Sequence, residues 1–302
     1  MGLLKKVFAF SGILIFIYII TTQIELKSLA LILKKANFLY FFPAFIFTFM
    51  LNFLKIFRCY KLLKINELEV SFRKFLELYS HTKLYASISN LIVSEGMATF
   101  LVMFKQEKNR QKVVSIFFLC NFFDLLAITL LCLISLLFSI KMKIIDLAKF
   151  KFFNFSNYTF IFIAFIVLAI IIYSFKNKLK SIIGPLKKYK ISSQSFKILF
   201  LFTILVYTSY VLTAFFQAKL FNVEVNIFYL ILIFTGGSLI SIIPISINGL
   251  GTREAFFIFL LKIKNFNNEQ AFSLSIFAFL VMPLLTLFSI YLFSLIINRI
   301  LK

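Results

Sequence analysis

Long unbroken apolar runs, not alternation, organise this chain. Six stretches, 7–22, 37–57, 113–140, 158–175, 196–217 and 271–297, carry nearly continuous aliphatic and phenylalanine residues between clusters of lysine. Barrel strands alternate apolar and polar positions, so runs of this length choose helices, about 20 residues being needed to cross a hydrocarbon core of roughly 30 Å. Two further apolar segments are interrupted. Leu84–Phe104 is broken by Ser94-Glu95-Gly96, and Ile227–Leu261 is broken between Pro244 and Glu254. The short arms beside such breaks cannot cross alone, so 84–112 and 227–264 are predicted as re-entrant hairpins. If instead they cross, the chain has about eight spans.

The expected fold is therefore all-α, a polytopic transmembrane bundle in one integral membrane domain, 1–302. Composition agrees: 62% of the 302 residues are hydrophobic, with a mean hydropathy of +1.00, more apolar surface than one soluble core of this size could hide. The first run, after Lys5 and Lys6, has no small-residue cleavage site behind it and reads as a first span, not a removed leader.

A net charge of +22 would suggest nucleic acid in a soluble protein. Here it is explained by basic loops that set orientation and meet anionic headgroups, and no nucleic-acid partner is expected. With the amino terminus inside, the inner segments hold 21 lysines and arginines and the outer ones 10. Both termini are thus expected in the cytoplasm, with the two hairpins entering from opposite faces. Residues 58–83, with Arg58, Lys61, Lys64, Arg73 and Lys74 among leucine and phenylalanine, read as a cytoplasmic interfacial segment. Lys55 is expected to snorkel to the same surface.

The second break concentrates chemistry. Gly249 and Gly251 permit tight turning, Pro244 ends the preceding helix, and Ser246 and Asn248 add polar groups. Thr252 is placed to cap a short helix starting near Arg253, whose free N–H groups would point into the membrane interior. Those groups, the positive helix end and a guanidinium favour an anion, and phosphate is the obvious one in a bilayer. The alternative is an internal ion pair from Arg253 to Glu254, Asp124 or Glu95. Asp124 lies within the 113–140 run with Asn121 on its face, and its expected partner is Arg253, a proton-coupled switch being the other reading. Gly96 and Glu95 mark the first break in a similar way.

Other chemistries find little support. His81 is the only histidine, and Cys59, Cys120 and Cys132 form no paired motif, so neither a metal site nor a disulfide framework is expected. No Walker loop or dinucleotide fingerprint appears, no cofactor is implied, and no catalytic residue is assigned.

Ile243-Pro244 followed by Gly249-Leu250-Gly251-Thr252-Arg253-Glu254 resembles the late IP…GxGxRE signature of the flippase-like transmembrane domain found at the front of lysylphosphatidylglycerol synthases. Phe57-Arg58-Cys59-Tyr60-Lys61 and the stretch Asn90–Asp124 support the resemblance, which covers nearly the whole chain. It implies an inner-membrane helical domain associated with moving aminoacylated or glycosylated lipids between leaflets. By matching position it draws attention to Pro244, Gly249, Gly251, Arg253 and Glu254, then to Glu95, Gly96 and Asp124. The first break departs from the family pattern in lacking a proline and a nearby arginine. The chain ends at Lys302, soon after its last span, so lysyl-lipid synthesis by this chain alone is not expected.

The leading expectation is a protein that binds and translocates a polar or anionic lipid, phospho- or polyprenyl-linked. The alternatives are a lipid-linked transferase using Glu95, Asp124 or Glu254 as base, a non-catalytic partner of a separate glycosyl-transferring or lipid-modifying enzyme, and an ion-coupled solute transporter.

Overall fold

The computed structural model describes residues 2–66, 71–89, 110–144, 193–242, 246 and 249–300. Ten α-helices are numbered here among them: α1 Gly2–Thr22, α2 Leu26–Lys34, α3 Phe41–Ile65, α4 Phe72–Ser89, α5 Arg110–Lys141, α6 Ser193–Leu220, α7 Ile227–Ile242, α8 Thr252–Ile263, α9 Asn268–Ile276 and α10 Met282–Ile300. A 3-10 turn, Phe38–Tyr40, opens α3, and a π-helical turn, Phe277–Val281, joins α9 to α10.

Among the described residues, Phe38–Ile65, Val113–Lys141, Ser193–Leu220 and Asn268–Ile296 are long and apolar enough to cross a membrane. A fifth crossing exists if Ser11–Thr22 and Leu26–Lys34, which meet at 86°, form one broken span. The chain is a multi-pass helical membrane protein, as its apolar runs predict. The expected span 158–175 and the centre of the expected hairpin 84–112 lie outside the described residues. Residues 84–89 close α4, and 110–112 begin α5.

Polarity is distributed for a lipid solvent. Leu126, Leu130, Ile134 and Leu137 are exposed along one face of α5, and Phe288, Leu292 and Ile296 do the same on α10. Hydroxyls point inward instead and bond within their own helices: Thr203 donates to Leu199 O at 2.7 Å and Thr286 to Met282 O at 2.9 Å. In hydrocarbon no water is available to pair them, so the preceding turn's carbonyl serves.

Among the described residues, the buried apolar side chains form two clusters. One gathers Ile19, Ala214, Tyr229, Phe234, Phe257 and Leu274 from α1, α6, α7, α8 and α9. The other gathers Ile56, Leu62, Phe75, Phe117, Leu199 and Ile290 from α3, α4, α5, α6 and α10. Helices α3 and α6 run antiparallel over their whole lengths: Asn37 N donates to Leu220 O at one end, and Arg58 meets Thr203 toward the other.

Segment 227–264 forms an antiparallel helical hairpin. Tyr229 OH, in the first turn of α7, donates to Leu260 O near the end of α8 at 2.6 Å. At about 1.5 Å per residue, α7 and α8 reach only about 24 and 18 Å, each short of a roughly 30 Å core. Close approach depends on glycine: a Cβ on Gly236 would sit 2.6 Å from the Phe256 ring, and one on Gly237 would sit 2.7 Å from the Phe257 ring.

Segment 58–83 is not a single interfacial stretch. Its first part completes α3, and α4 turns back to bury Phe75, Leu76, Ser80 and Thr82 against α3, α5 and α10. Aromatic contacts explain the turn, since Phe72 meets Phe53, Phe57 and Tyr60 edge to face.

Candidate functional site

Among the described residues, two charged centres lie inside this apolar bundle. The first occupies the break between α7 and α8. Gly249 and Gly251 take φ of +79° and +85°, a region that side chains disfavour. At Gly251 a Cβ would also strike the backbone of α1, at Gly12 O and, at 2.8 Å, at Phe16 N. A Cβ on Gly12 would in turn meet Ser246 and Leu250 O. Two glycines thus let α1 cross directly over the break.

Gly251, not Thr252, is the residue preceding the first turn of α8. Thr252 is already helical; its hydroxyl donates to Gly249 O at 3.1 Å and is shared with Ser246 Oγ at 2.9 Å, pinning the loop. Helix capping falls to Glu254. Its Oε2 accepts from Gly251 N, the reciprocal half of a capping box. Its Oε1 accepts from Arg253 Nε at 3.2 Å, Arg253 Nη2 at 3.1 Å and Ser275 Oγ at 3.2 Å. Arg253 therefore pairs with Glu254, one of the internal partners that the sequence allows, and this carboxylate occupies the helix end expected to face an external anion.

The guanidinium also lies over the Phe279 ring, 4.4 Å from Cζ to centroid. Phe279 belongs to the π turn, in which Met282 N reaches back five residues to Phe277 O. The next residue, Pro283, has no N–H to return to Phe279 O, so the local register is already broken in the sequence.

The second centre joins α3, α5 and α6. Arg58 forks onto Asp124, Nη1 to Oδ1 at 3.0 Å and Nη2 to Oδ2 at 2.9 Å. Nη1 also reaches Thr203 Oγ1 at 3.0 Å, and Nη2 reaches Cys120 O at 3.3 Å. Tyr207 OH donates to Asp124 O at 2.9 Å. The expected Asp124–Arg253 pair does not form. Asp124 is claimed by an arginine grouped in sequence with surface cations yet only 1% exposed, because α3 continues straight through its apolar run to Ile65. Lys55, three residues earlier on the same face, stands 3.7 Å from Asp124 and half-turns inward rather than simply snorkelling.

The centres are connected. The Tyr207 and Tyr210 rings lie 5.9 Å apart on α6, and Tyr210 OH shares a 2.9 Å hydrogen bond with Ser238 Oγ of α7. Ser238 follows Gly237, where an added Cβ would sit 3.4 Å from Arg253 Cγ. Beyond Arg58, Asn52 Nδ2 donates to Thr286 Oγ1 at 2.8 Å across to α10. A track of polar groups thus threads the interior.

Of the residues singled out by sequence, Gly249, Gly251, Thr252, Arg253 and Glu254 come together at the break. Asp124 belongs to the other centre. Pro244, Asn248, Glu95 and Gly96 lie outside the described residues. Sequence reasoning missed Gly12, Lys55, Arg58, Tyr207, Tyr210, Ser275 and Phe279 as parts of these centres. Five of them carried a usable signal: Lys55 with Arg58, and Tyr207 with Tyr210, are spaced by three, and Gly12 interrupts an aliphatic first span.

Among protein families, the one described as Lysylphosphatidylglycerol synthase TM region matches residues 4–290, a stretch that includes both centres. No curated protein and no solved structure matches the chain.

Proposed function

The chain belongs to the lysylphosphatidylglycerol synthase TM region family, membrane proteins associated with lipid handling, and from that premise we propose that it binds a polar or anionic lipid and carries its headgroup between leaflets. The observation supporting this is the polar track through a lipid-facing bundle. A bare charge deep in hydrocarbon costs at least roughly 2.5–3.5 kcal/mol on insertion scales. A path lined by Tyr210, Ser238, Tyr207, Asp124 and Asn52 offers a headgroup hydrogen bonds in place of water while acyl chains stay among the outward-facing leucines and phenylalanines.

Segment 227–264 acts as a re-entrant hairpin entering from the outer face, with Gly249 and Gly251 as pivots. In the state described here Glu254 satisfies Arg253 and the amino end of α8 itself. Displacing that carboxylate by a headgroup phosphate exchanges one anion for another at the same donors. The exchange couples ligand binding to movement of the hairpin without leaving a guanidinium unpaired. In this reading both termini lie in the cytoplasm of a bacterial cell and the chain in its inner membrane, which the 21 to 10 split of basic residues between the two sets of segments supports. A separate lipid-modifying or glycosyl-transferring enzyme supplies the cargo.

Mass spectrometry of lipids retained by the purified protein tests the reading. Phospho- or polyprenyl-linked anionic lipids are expected to be enriched above their share of the source membrane. Retained lipid of the same composition as that membrane would rule the reading out.

A further inference from the structure

The two charged centres differ in balance. At the break one guanidinium meets one carboxylate, and every oxygen of Glu254 is engaged. At the second centre Lys55 and Arg58 share the single carboxylate of Asp124, both of whose oxygens are already taken by the Arg58 fork. Lys55 is held at 3.7 Å, within reach of Coulomb attraction but beyond hydrogen-bond distance, and its side chain is 31% exposed. Its ammonium lies 6.0 Å from the Tyr207 ring centroid, so part of its surroundings is aromatic rather than aqueous. Arg58 is sealed in with its Nε lacking any acceptor.

Lys83 of α4 supplies a further cation. It is exposed, with its ammonium 5.8 Å from the Tyr79 ring, and Tyr79 stacks on Phe117 of α5. The Lys83 ammonium lies within charge–charge range of Lys55 and of Asp124. Three cations from α3 and α4 thus converge on one carboxylate. An unmatched cation in low dielectric is costly, and a second anion offsets that cost.

From this imbalance we infer that Lys55 and Lys83 form a binding subsite for a phosphate group, beside the Arg58–Asp124 pair and separate from Arg253. Arg58 and Asp124 are its positioning residues: their fork fixes the adjoining turns of α3 and α5 and keeps Arg58 from competing for the ligand. Lys55 and Lys83 make the contact. A tetrahedral phosphate offers several acceptors to two ammonium groups, whereas a neutral headgroup offers no charge to balance. The subsite rests on the lipid-binding reading above and adds to it a second place where the phosphate docks, apart from Arg253.

The test uses the purified full chain and three probes: phosphatidylglycerol in nanodiscs, diacylglycerol in nanodiscs and inorganic phosphate. Phosphatidylglycerol binding is expected to weaken about tenfold or more in Lys55→Gln/Lys83→Gln, equivalent to about 1.4 kcal/mol or more, and to recover in Lys55→Arg/Lys83→Arg. Diacylglycerol binding is expected to be unchanged by either. Parallel weakening for inorganic phosphate identifies free phosphate as an additional source, and weakening confined to phosphatidylglycerol identifies the headgroup. Circular-dichroism melting verifies that the variants are folded. Wild-type phosphatidylglycerol affinity in the folded Gln variant overturns the subsite while leaving lipid binding intact. No binding of either lipid by the wild type overturns both.

Discussion

Arg253 and Glu254 are adjacent in sequence and satisfy one another in a buried pocket, which makes each a liability without its neighbour. Arg253→Ala leaves a carboxylate with only Gly251 N and Ser275 Oγ for company. Loss of one partner from a buried pair costs about 3–5 kcal/mol, read as a lowered midpoint in a denaturant titration in detergent micelles. Arg253→Met/Glu254→Gln is expected to recover much of that loss, because the amide oxygen still caps α8 and no net charge remains. Equal destabilisation of both variants would contradict the pairing. The charge pair was legible, since adjacent opposite charges after a Gly-rich break stand out in an apolar run. Its geometry was not: Ser275 lies 21 positions downstream, and Phe279 faces Arg253 only because a π turn precedes Pro283. Asp124 shows the same limit. Its partner, Arg58, is 66 positions away, and which of several cations it meets depends on helix register and on how far α3 continues past its apolar stretch.

At the scale of elements, the break depends on the crossing of α1 over Gly249–Gly251. Gly251→Ala combines a positive φ with a clash against the α1 backbone at Gly12. A strained φ alone costs about 1–3 kcal/mol, and overpacking about 1–3 kcal/mol more, so the variant is expected to lose α1 docking. Protease cleavage or hydrogen exchange should rise in α1 and at the break while α3 and α6 stay protected. Uniform protection like the wild type's would show that the crossing is dispensable. The described long helices were foreseen from run length, and the shortness of α7 and α8 from the interruption between them. The π turn, and the turning back of α4, were not: one needs a local register that a uniform apolar run conceals, and the other needs tertiary aromatic contacts such as Phe72 on Tyr60. Grouping Arg58 with the interfacial lysines failed because composition cannot tell a helix's last buried turn from the first one outside.

For the whole molecule, the apolar exterior and the internal polar track are two consequences of one solvent. Lipid accepts Leu130 and Phe288 at the surface and gives buried hydroxyls no partner but protein, so polar groups collect into connected sets. That inversion was readable from composition alone. The path from Ser238 through Tyr210 and Tyr207 to Asp124 was not, since it joins α5, α6 and α7 through contacts that no spacing encodes. The most direct test of lipid movement is a leaflet-exchange assay on vesicles containing the purified chain. Fluorescent phosphatidylglycerol or a labelled polyprenyl phosphate is incorporated, and a membrane-impermeant reductant is added outside, with and without an imposed membrane potential. The account predicts that the inner-leaflet signal protected in protein-free vesicles becomes reducible when the wild type is present. Protection identical to that of empty vesicles, for both probes and under both conditions, would contradict it.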